Sequence, residues 1–123
     1  MNPCMGADIT VYEKRTCSIC RALFTLLTER GVDFERVEYH VEGIDEQRIR
    51  ELLAKAEISA RKALREREPL AAELGLLGQD IGDDELVPLM AEHPELLQRP
   101  IVERGDRAVL ARPVERVLEL LDG

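Results

Sequence analysis

Cys17 and Cys20 are the residues best suited to chemistry, because they form a C-x-x-C pair. The pair lies between a predicted strand over Asp8–Tyr12 and a segment with helical periodicity that starts at Ser18. Unpaired amides in the first turn of a helix carry partial positive charge, which favours a thiolate over a thiol. The thiolate is the nucleophilic form of cysteine. The position therefore predicts Cys17 as the nucleophile and Cys20, one turn deeper, as a thiol that can attack a Cys17 adduct.

Two other uses of this pair are buried packing and zinc binding. Zinc needs further Cys or His at matching spacing, and His40 and His93 are far apart in the sequence. The third cysteine, Cys4, is interpreted as an idle terminal thiol. A phosphatase loop is excluded, because leucines (Leu23 and Leu26) stand six residues after the two cysteines, where that loop needs arginine. We therefore favour redox chemistry without a metal.

The elements around the pair predict a βαβ unit. The strand over Asp8–Tyr12 is rich in β-branched residues, and a second alternating strand covers Phe34–Tyr39. Between them, Ser18–Arg30 has apolar residues at helical spacing, and Gly31 is a natural end for this helix. A unit of this size normally gives a parallel strand pair with a right-handed crossover.

The middle of the chain is predicted to be helical and its end to return to strands. Pro88 lacks an amide proton, so we place it close to the first turn of its helix. The predicted order is a helix capped by Asp45, a short helix capped by Ser59 and carrying Ala60, Ala63 and Leu64, a turn from Pro69 to about Gly75, a helix from Asp83 or Asp84 to about His93, a hairpin of Ile101–Val102 and Ala108–Leu110 around Gly105-Asp106, and a last helix that starts at Pro113. We expect one α/β domain over residues 1–123 with a helical insert at about 43–97.

Composition limits the function classes. The chain has 123 residues, 45% hydrophobic, and a net charge of -8. This balance argues against direct nucleic-acid binding, which needs a basic face, but a local basic pocket for a small anion stays compatible with it. The sequence has neither a basic and apolar leader nor a run of about 20 apolar residues. We therefore expect a cytoplasmic protein that does not bind membranes.

Four arginines are candidates for binding such an anion. Arg99 and Arg112 each precede a proline, Arg65 follows a predicted short helix, and Arg21 follows the second cysteine. Each of them alone reads as a solvated surface charge. Together they could form an oxyanion pocket, because guanidinium groups match tetrahedral oxyanions with two hydrogen bonds.

An ordered series of short segments resembles the ArsC family, which includes the thioredoxin-fold arsenate reductases and the Spx-type transcription regulators. The resemblance covers Ile9 to Leu121, nearly the whole chain. Its segments are Ile9–Tyr12, Cys17 with Arg21, Ile58–Arg61 leading to Arg65, Glu68-Pro69 with Glu73–Leu76, Asp83–Leu86, His93–Val102 and Arg112-Pro113.

The resemblance implies a thioredoxin-like fold, with βαβ and ββα units around a four-stranded mixed sheet. It implies that a thiolate matching Cys17 attacks arsenate or a similar small oxyanion, held by Arg65, Arg99 and Arg112. It also implies a cis peptide bond before Pro100. No bound cofactor is expected. The electrons would come from glutathione and glutaredoxin, or through Cys20 from thioredoxin, in a role in arsenic resistance.

Departures from the family pattern keep a second function open. A C-x-x-C pair is typical of Spx-type regulators, which sense oxidation by closing that disulfide and dock on the RNA polymerase α subunit. Those regulators generally lack an arginine matching Arg112, and a buried guanidinium without an anion is costly. Glu13 replaces a histidine that is common in the reductases. We favour the reductase over the regulator, and a thiol oxidoreductase with another target is the third alternative.

Overall fold

A four-stranded mixed sheet forms the centre of the computed structural model, which describes residues 9–14, 16–78 and 81–121. Its strands are β1 (Ile9–Tyr12), β2 (Glu35–Val37), β3 (Ile101–Arg104) and β4 (Arg107–Leu110), in the order β2-β1-β3-β4. β1 runs parallel to β2 and antiparallel to β3, and β4 is antiparallel to β3. The α/β thioredoxin-like fold is therefore confirmed. The interpretations of Cys4 and of Asp8 lie outside the described residues.

Six α-helices accompany the sheet in the described ranges. They are α1 (Ser18–Glu29), α2 (Tyr39–Glu42), α3 (Glu46–Ala56), α4 (Pro69–Glu73), α5 (Asp83–Glu92) and α6 (Leu118–Leu121), with 3₁₀ turns at Pro94–Leu96 and Val114–Val117. None of these helices, in the part of the chain that is described, combines the length and apolar character of a bilayer crossing.

The βαβ unit has the predicted form. Val11 of β1 lies beside Arg36 of β2 in a parallel pair. α1 ends at Glu29, and Gly31 takes a φ of 68° just after it, a backbone conformation that costs glycine little. This turn ends α1 and leads the chain back to the sheet at β2.

Alternation along the strands gives the sheet two buried faces. On one face Val11, Val102 and Val109 pack with Leu23 and Leu27 of α1. On the other face the core is built by side chains of the strands and of the helices between β2 and β3. Members of that second core include Tyr12, Tyr39, Ile49, Leu52, Leu86, Met90, Leu96 and Ile101.

The predicted helix after Ser59 is wrong, because the structure has only a turn there. The Ser59 hydroxyl does accept a hydrogen bond from the Lys62 amide (3.2 Å). Leu64, however, forms an antiparallel bridge with Leu97. In addition, the Arg65 amide donates to the carbonyl of residue 96 (2.7 Å), so the backbone leaves the helical path. We call this contact the Leu64–Leu97 bridge.

Two boundaries and the position of one proline also differ from the prediction. The second strand ends at Val37, and Tyr39 opens α2 instead of closing the strand. Pro113 precedes the last helical segment with a ψ of 161°, and that segment starts as a 3₁₀ turn at Val114. Pro88 lies in the second turn of α5, where the carbonyl it leaves without a partner belongs to exposed Asp84, which water can reach.

Candidate active site

Cys17 occupies the N-cap position of α1, directly before its first turn. Its backbone is extended (φ -75°, ψ 130°), and no side chain caps the helix. The Cys17 carbonyl accepts the first helical hydrogen bond, from the Arg21 amide (2.9 Å). No acidic residue occurs in the first turn. The amides of that turn therefore remain free to donate to the Cys17 sulfur.

These donors lower the pKa of Cys17. Burial alone raises it, but hydrogen bonds from the Cys20 amide and thiol, the Ile19 amide and the Arg99 side chain outweigh burial and bring the pKa from 9.0 to about 7. The sulfur is half-buried, so a small molecule can still reach it. At neutral pH a large fraction of Cys17 is therefore a thiolate, the form that attacks electrophiles.

Cys20 has the opposite environment. It is completely buried one turn further along α1. Burial raises its pKa to about 12, and the nearby Cys17 sulfur and the buried Glu13 carboxylate act in the same direction against a hydrogen bond from the Lys14 amide. Cys20 therefore stays a thiol while Cys17 is a thiolate. Its thiol donates to the Cys17 sulfur, which puts the two sulfurs in direct contact.

Arg99 is the deepest cation of the site. Only 5% of it is exposed, yet its Nε atom has no hydrogen-bond partner among the described residues. Its guanidinium donates to the Cys17 sulfur and to the hydroxyl of Tyr39. Tyr39 is fully buried, and its hydroxyl donates to the carbonyl of Leu97. The peptide bond from Arg99 to Pro100 is cis, as is the bond from Arg112 to Pro113.

Arg65 and Arg112 lie beside Arg99. Arg112 Nη1 donates to the Arg99 carbonyl (2.8 Å), and Arg65 Nη1 donates to Gln98 Oε1 (3.3 Å). Arg65 Nε is buried without a hydrogen bond, and the nearest Glu68 oxygen, at 3.8 Å, is an ion-pair contact too long for one. Burial and the like charges of Arg99 and Arg112 lower the pKa of Arg65 against the attraction of Cys17 and Glu68.

The three guanidinium groups and Cys17 line one cavity of about 430 Å³. Its described lining carries five cationic side chains and no carboxylate. The lining residues are Lys14, Thr16, Cys17, Ser18, Ile19, Arg65, Arg67, Arg99 and Arg112. In a chain with a net charge of -8, this local excess of positive charge indicates a place for an anion. No cluster suited to a metal ion occurs within residues 9–14, 16–78 and 81–121.

Not every candidate from the sequence reaches this cavity. Arg21 is exposed on α1 and is absent from the described lining. Lys14 and Arg67 do line the cavity, although the sequence did not single them out. Their spacing was the available signal, because Arg67 is two residues after Arg65 and Lys14 is three residues before Cys17. Glu13, at which the sequence departs from the family pattern, is buried and pairs with Arg36.

The chain combines a thioredoxin-like sheet with a thiolate at a helix start, a second thiol in contact with it and a cationic cavity. Together these features define a class of thiol oxidoreductase folds. Within that class the ArsC family matches residues 12–120. The chain belongs to the ArsC family.

Individual relatives agree with this assignment. The Escherichia coli protein YfgD is 35% identical over 95% of this chain and 99% of its own length. An arsenate reductase of Neisseria meningitidis is also 35% identical, over 93% of this chain and 98% of that protein. Among solved structures, an arsenate reductase from Vibrio cholerae has a TM-score of 0.86 and 31% identity, covering 93% of this chain and 98% of the other.

Proposed function

We propose that this protein is an arsenate reductase in which the Cys17 thiolate attacks an oxyanion held by Arg65, Arg99 and Arg112. The observation that carries the proposal is the cavity in which a thiolate with a pKa of about 7 lies among three guanidinium groups. Two of these groups have buried Nε atoms without a hydrogen-bond partner in the described chain. A tetrahedral oxyanion would supply those partners. Relatives named as arsenate reductases support the choice of arsenate.

The first step joins sulfur to arsenic. The Cys17 thiolate attacks As(V), a sulfur–arsenic bond forms, and one arsenate oxygen leaves as water after taking up protons. The three guanidinium groups neutralise the oxyanion, because two negative species would otherwise repel each other as they approach. They also hold the arsenic close to the sulfur, which lowers the entropic cost of the encounter.

The second step reduces arsenic and oxidises sulfur. A thiolate attacks the Cys17 sulfur, a disulfide forms, and the electron pair of the sulfur–arsenic bond stays on arsenic, giving As(III) as arsenite. The attacking thiol is either Cys20 or an external thiol. Cys20 already contacts Cys17, but burial holds its pKa at about 12. Attack by Cys20 therefore requires its proton to be removed at that moment.

The spent disulfide must then be reduced again. A Cys17–Cys20 disulfide would be reopened by thioredoxin, and a mixed disulfide with glutathione by glutaredoxin. Either route needs a reducing compartment, so we place the protein in the cytoplasm.

A redox-sensing regulator that binds the RNA polymerase α subunit is the second candidate function. The contact between the Cys17 and Cys20 sulfurs favours it, because they can close a disulfide with little movement. Arg112 counts against it, since this third cation lines the cavity and a regulator has no need for it. A pull-down with the C-terminal domain of the α subunit, with reduced and oxidised protein, tests this candidate. Binding that changes with oxidation would support it.

The decisive experiment is arsenate-dependent consumption of NADPH in coupled assays with glutathione and glutaredoxin, or with thioredoxin. Cys17→Ser should abolish activity, and Cys4→Ser is the matched control, because the sequence predicts that Cys4 is an idle terminal thiol. Cys20→Ser separates the two routes. Activity that survives with glutathione but is lost with thioredoxin assigns Cys20 as the internal resolving thiol. Wild-type protein that is inert with every donor would refute the reductase.

A further inference from the structure

Two cations of the cavity are left over once the oxyanion has been placed. Arg99 is buried and Arg65 and Arg112 are half-buried, whereas Lys14 is partly exposed and Arg67 is exposed. Both outer cations line the same cavity as Cys17. No carboxylate in the described part of the chain pairs with either of them. The outer part of the cavity therefore carries positive charge that the inner anion does not use.

The volume of the cavity also exceeds the needs of an oxyanion. A water molecule takes about 30 Å³ in the liquid. The cavity of about 430 Å³ thus has the room of roughly fourteen waters. Arsenate has only five heavy atoms. Space remains at the mouth for part of a second ligand, next to the sulfur that the second ligand would attack.

We propose that Lys14 and Arg67 bind the carboxylates of a small anionic thiol, of the glutathione class, which attacks the Cys17 adduct. This subsite rests on the proposed function and makes it more specific, because it assigns the external thiol its own binding groups.

The position of Lys14 suits that role. Its carbonyl accepts a hydrogen bond from the Cys17 amide (2.9 Å), so its backbone lies next to the nucleophile. Arg67 follows Arg65 by two residues and lies in the turn directly after it. Carboxylates bound between these two cations would leave the thiol of the same molecule facing Cys17. The reductant sulfur forms a bond to the Cys17 sulfur, and the sulfur–arsenic electron pair stays on arsenic.

The subsite can be tested without arsenate by thiol–disulfide exchange. In this reaction the Cys17 thiolate attacks a disulfide, one sulfur–sulfur bond forms as another breaks, and a thiolate leaves. We would use protein carrying Cys4→Ser and Cys20→Ser, so that Cys17 alone reacts. The two probes are glutathione disulfide, which bears carboxylates, and hydroxyethyl disulfide, which is neutral. Mass spectrometry gives the rate of each mixed disulfide at physiological ionic strength.

Lys14→Gln and Arg67→Gln should each lower the ratio of the two rates, glutathione over hydroxyethyl disulfide, about two- to fivefold, the range of one exposed ion pair. The double variant should lower it further. Arg50→Gln is the matched control, since Arg50 is an exposed arginine that pairs with Asp84 outside the cavity. The neutral probe corrects for any change in the reactivity of Cys17 itself.

Each outcome is informative. A ratio unchanged in the double variant overturns the subsite, and so does an equal fall with both probes, which would show an effect on the thiolate alone. A fall in the ratio equal to that of Arg50→Gln would show only long-range attraction and would also overturn it. Because arsenate is absent from the assay, a chain that fails to reduce arsenate but shows the expected ratio keeps the subsite and loses the reductase.

Discussion

Replacing Arg99 by methionine separates the two tasks that we propose for the cationic cavity, binding the oxyanion and lowering the pKa of Cys17. Methionine keeps an unbranched apolar stem but removes the guanidinium group and its charge. Arg99 is 5% exposed, so its hydrogen bonds to an oxyanion would form away from water. A hydrogen bond to a charged group contributes about 1.5–3 kcal/mol. The expected result is a fall in kcat/KM for arsenate of roughly 10- to 100-fold, since about 1.4 kcal/mol changes a rate tenfold.

Arg99→Met should change the pKa of Cys17 much less than it changes kcat/KM for arsenate. The backbone amides of Cys20 and Ile19 lower the pKa of Cys17 and remain in the variant, whereas the hydrogen bond from Arg99 is only one of several contributions. The pKa of Cys17 should rise but stay below 9.0. Alkylation of Cys17 by iodoacetamide as a function of pH measures it directly. A midpoint that moves up to 9.0 would refute the view that the helix start activates the sulfur.

The thermal stability of Arg99→Met, with and without arsenate, tests the oxyanion site independently of activity. The variant loses the hydrogen bonds from Arg99 to Cys17 and Tyr39. It also no longer buries a guanidinium that has no carboxylate partner, and because this relief offsets the loss, the variant should unfold close to the temperature of the wild type. An anion that binds only the folded state raises stability by about 2.7 kcal/mol at one hundred times its Kd. Added arsenate should therefore stabilise the wild type and the control Arg50→Met, but stabilise Arg99→Met far less. Equal stabilisation of all three proteins would refute the oxyanion site.

Two further predictions concern the thiols and the support of Arg99. Alkylation of Cys17 should increase with pH around a midpoint of about 7, because its thiolate forms above the lowered pKa, while Cys20 should stay unmodified until the protein is unfolded or the pH nears its own pKa of about 12. Peptide mapping checks both, and equal labelling of the two at pH 8 would contradict them. Tyr39→Phe removes the bond to the Leu97 carbonyl and an acceptor of Arg99, so it should lower the free energy of unfolding by about 1 kcal/mol and raise KM for arsenate. Urea unfolding and initial rates measure these effects, and an unchanged KM would show that Tyr39 is only structural.

Local signals in the sequence were enough for the central units of the fold. The βαβ unit follows from strand alternation, helical spacing and Gly31, and the hairpin follows from Gly105, which has a φ of 62°. The side chain of Asp45 accepts a hydrogen bond from the Arg48 amide (2.8 Å), as its capping role predicts. The turn after Ser59 was not predictable in this way. Its path is set by Leu97, which is more than thirty residues away in the chain.

The site shows the same division between local and distant causes. The position of Cys17 depends on the strand and helix that flank it, so the sequence alone could indicate an activated thiolate. The directions of the arginine side chains depend on tertiary packing. Arg21 is adjacent to Cys20 but points away on the helix surface, whereas Arg67, distant in sequence, reaches the cavity. The sequence pattern placed Tyr39 at the end of a strand. The hydrogen bond from its hydroxyl to the Leu97 carbonyl depends on tertiary packing and could not be predicted from that pattern.

The Leu64–Leu97 bridge holds Arg65 and Arg99 beside each other although they lie far apart in the sequence. The two arginines follow the bridge partners by one and two residues, and main-chain hydrogen bonds join the two segments on both sides of the bridge. The spacing of the two cations is therefore set where the segments meet and does not depend on how many residues connect them. A change of length in α4 or α5 that keeps both segments paired should therefore leave the positions of Arg65 and Arg99 unchanged.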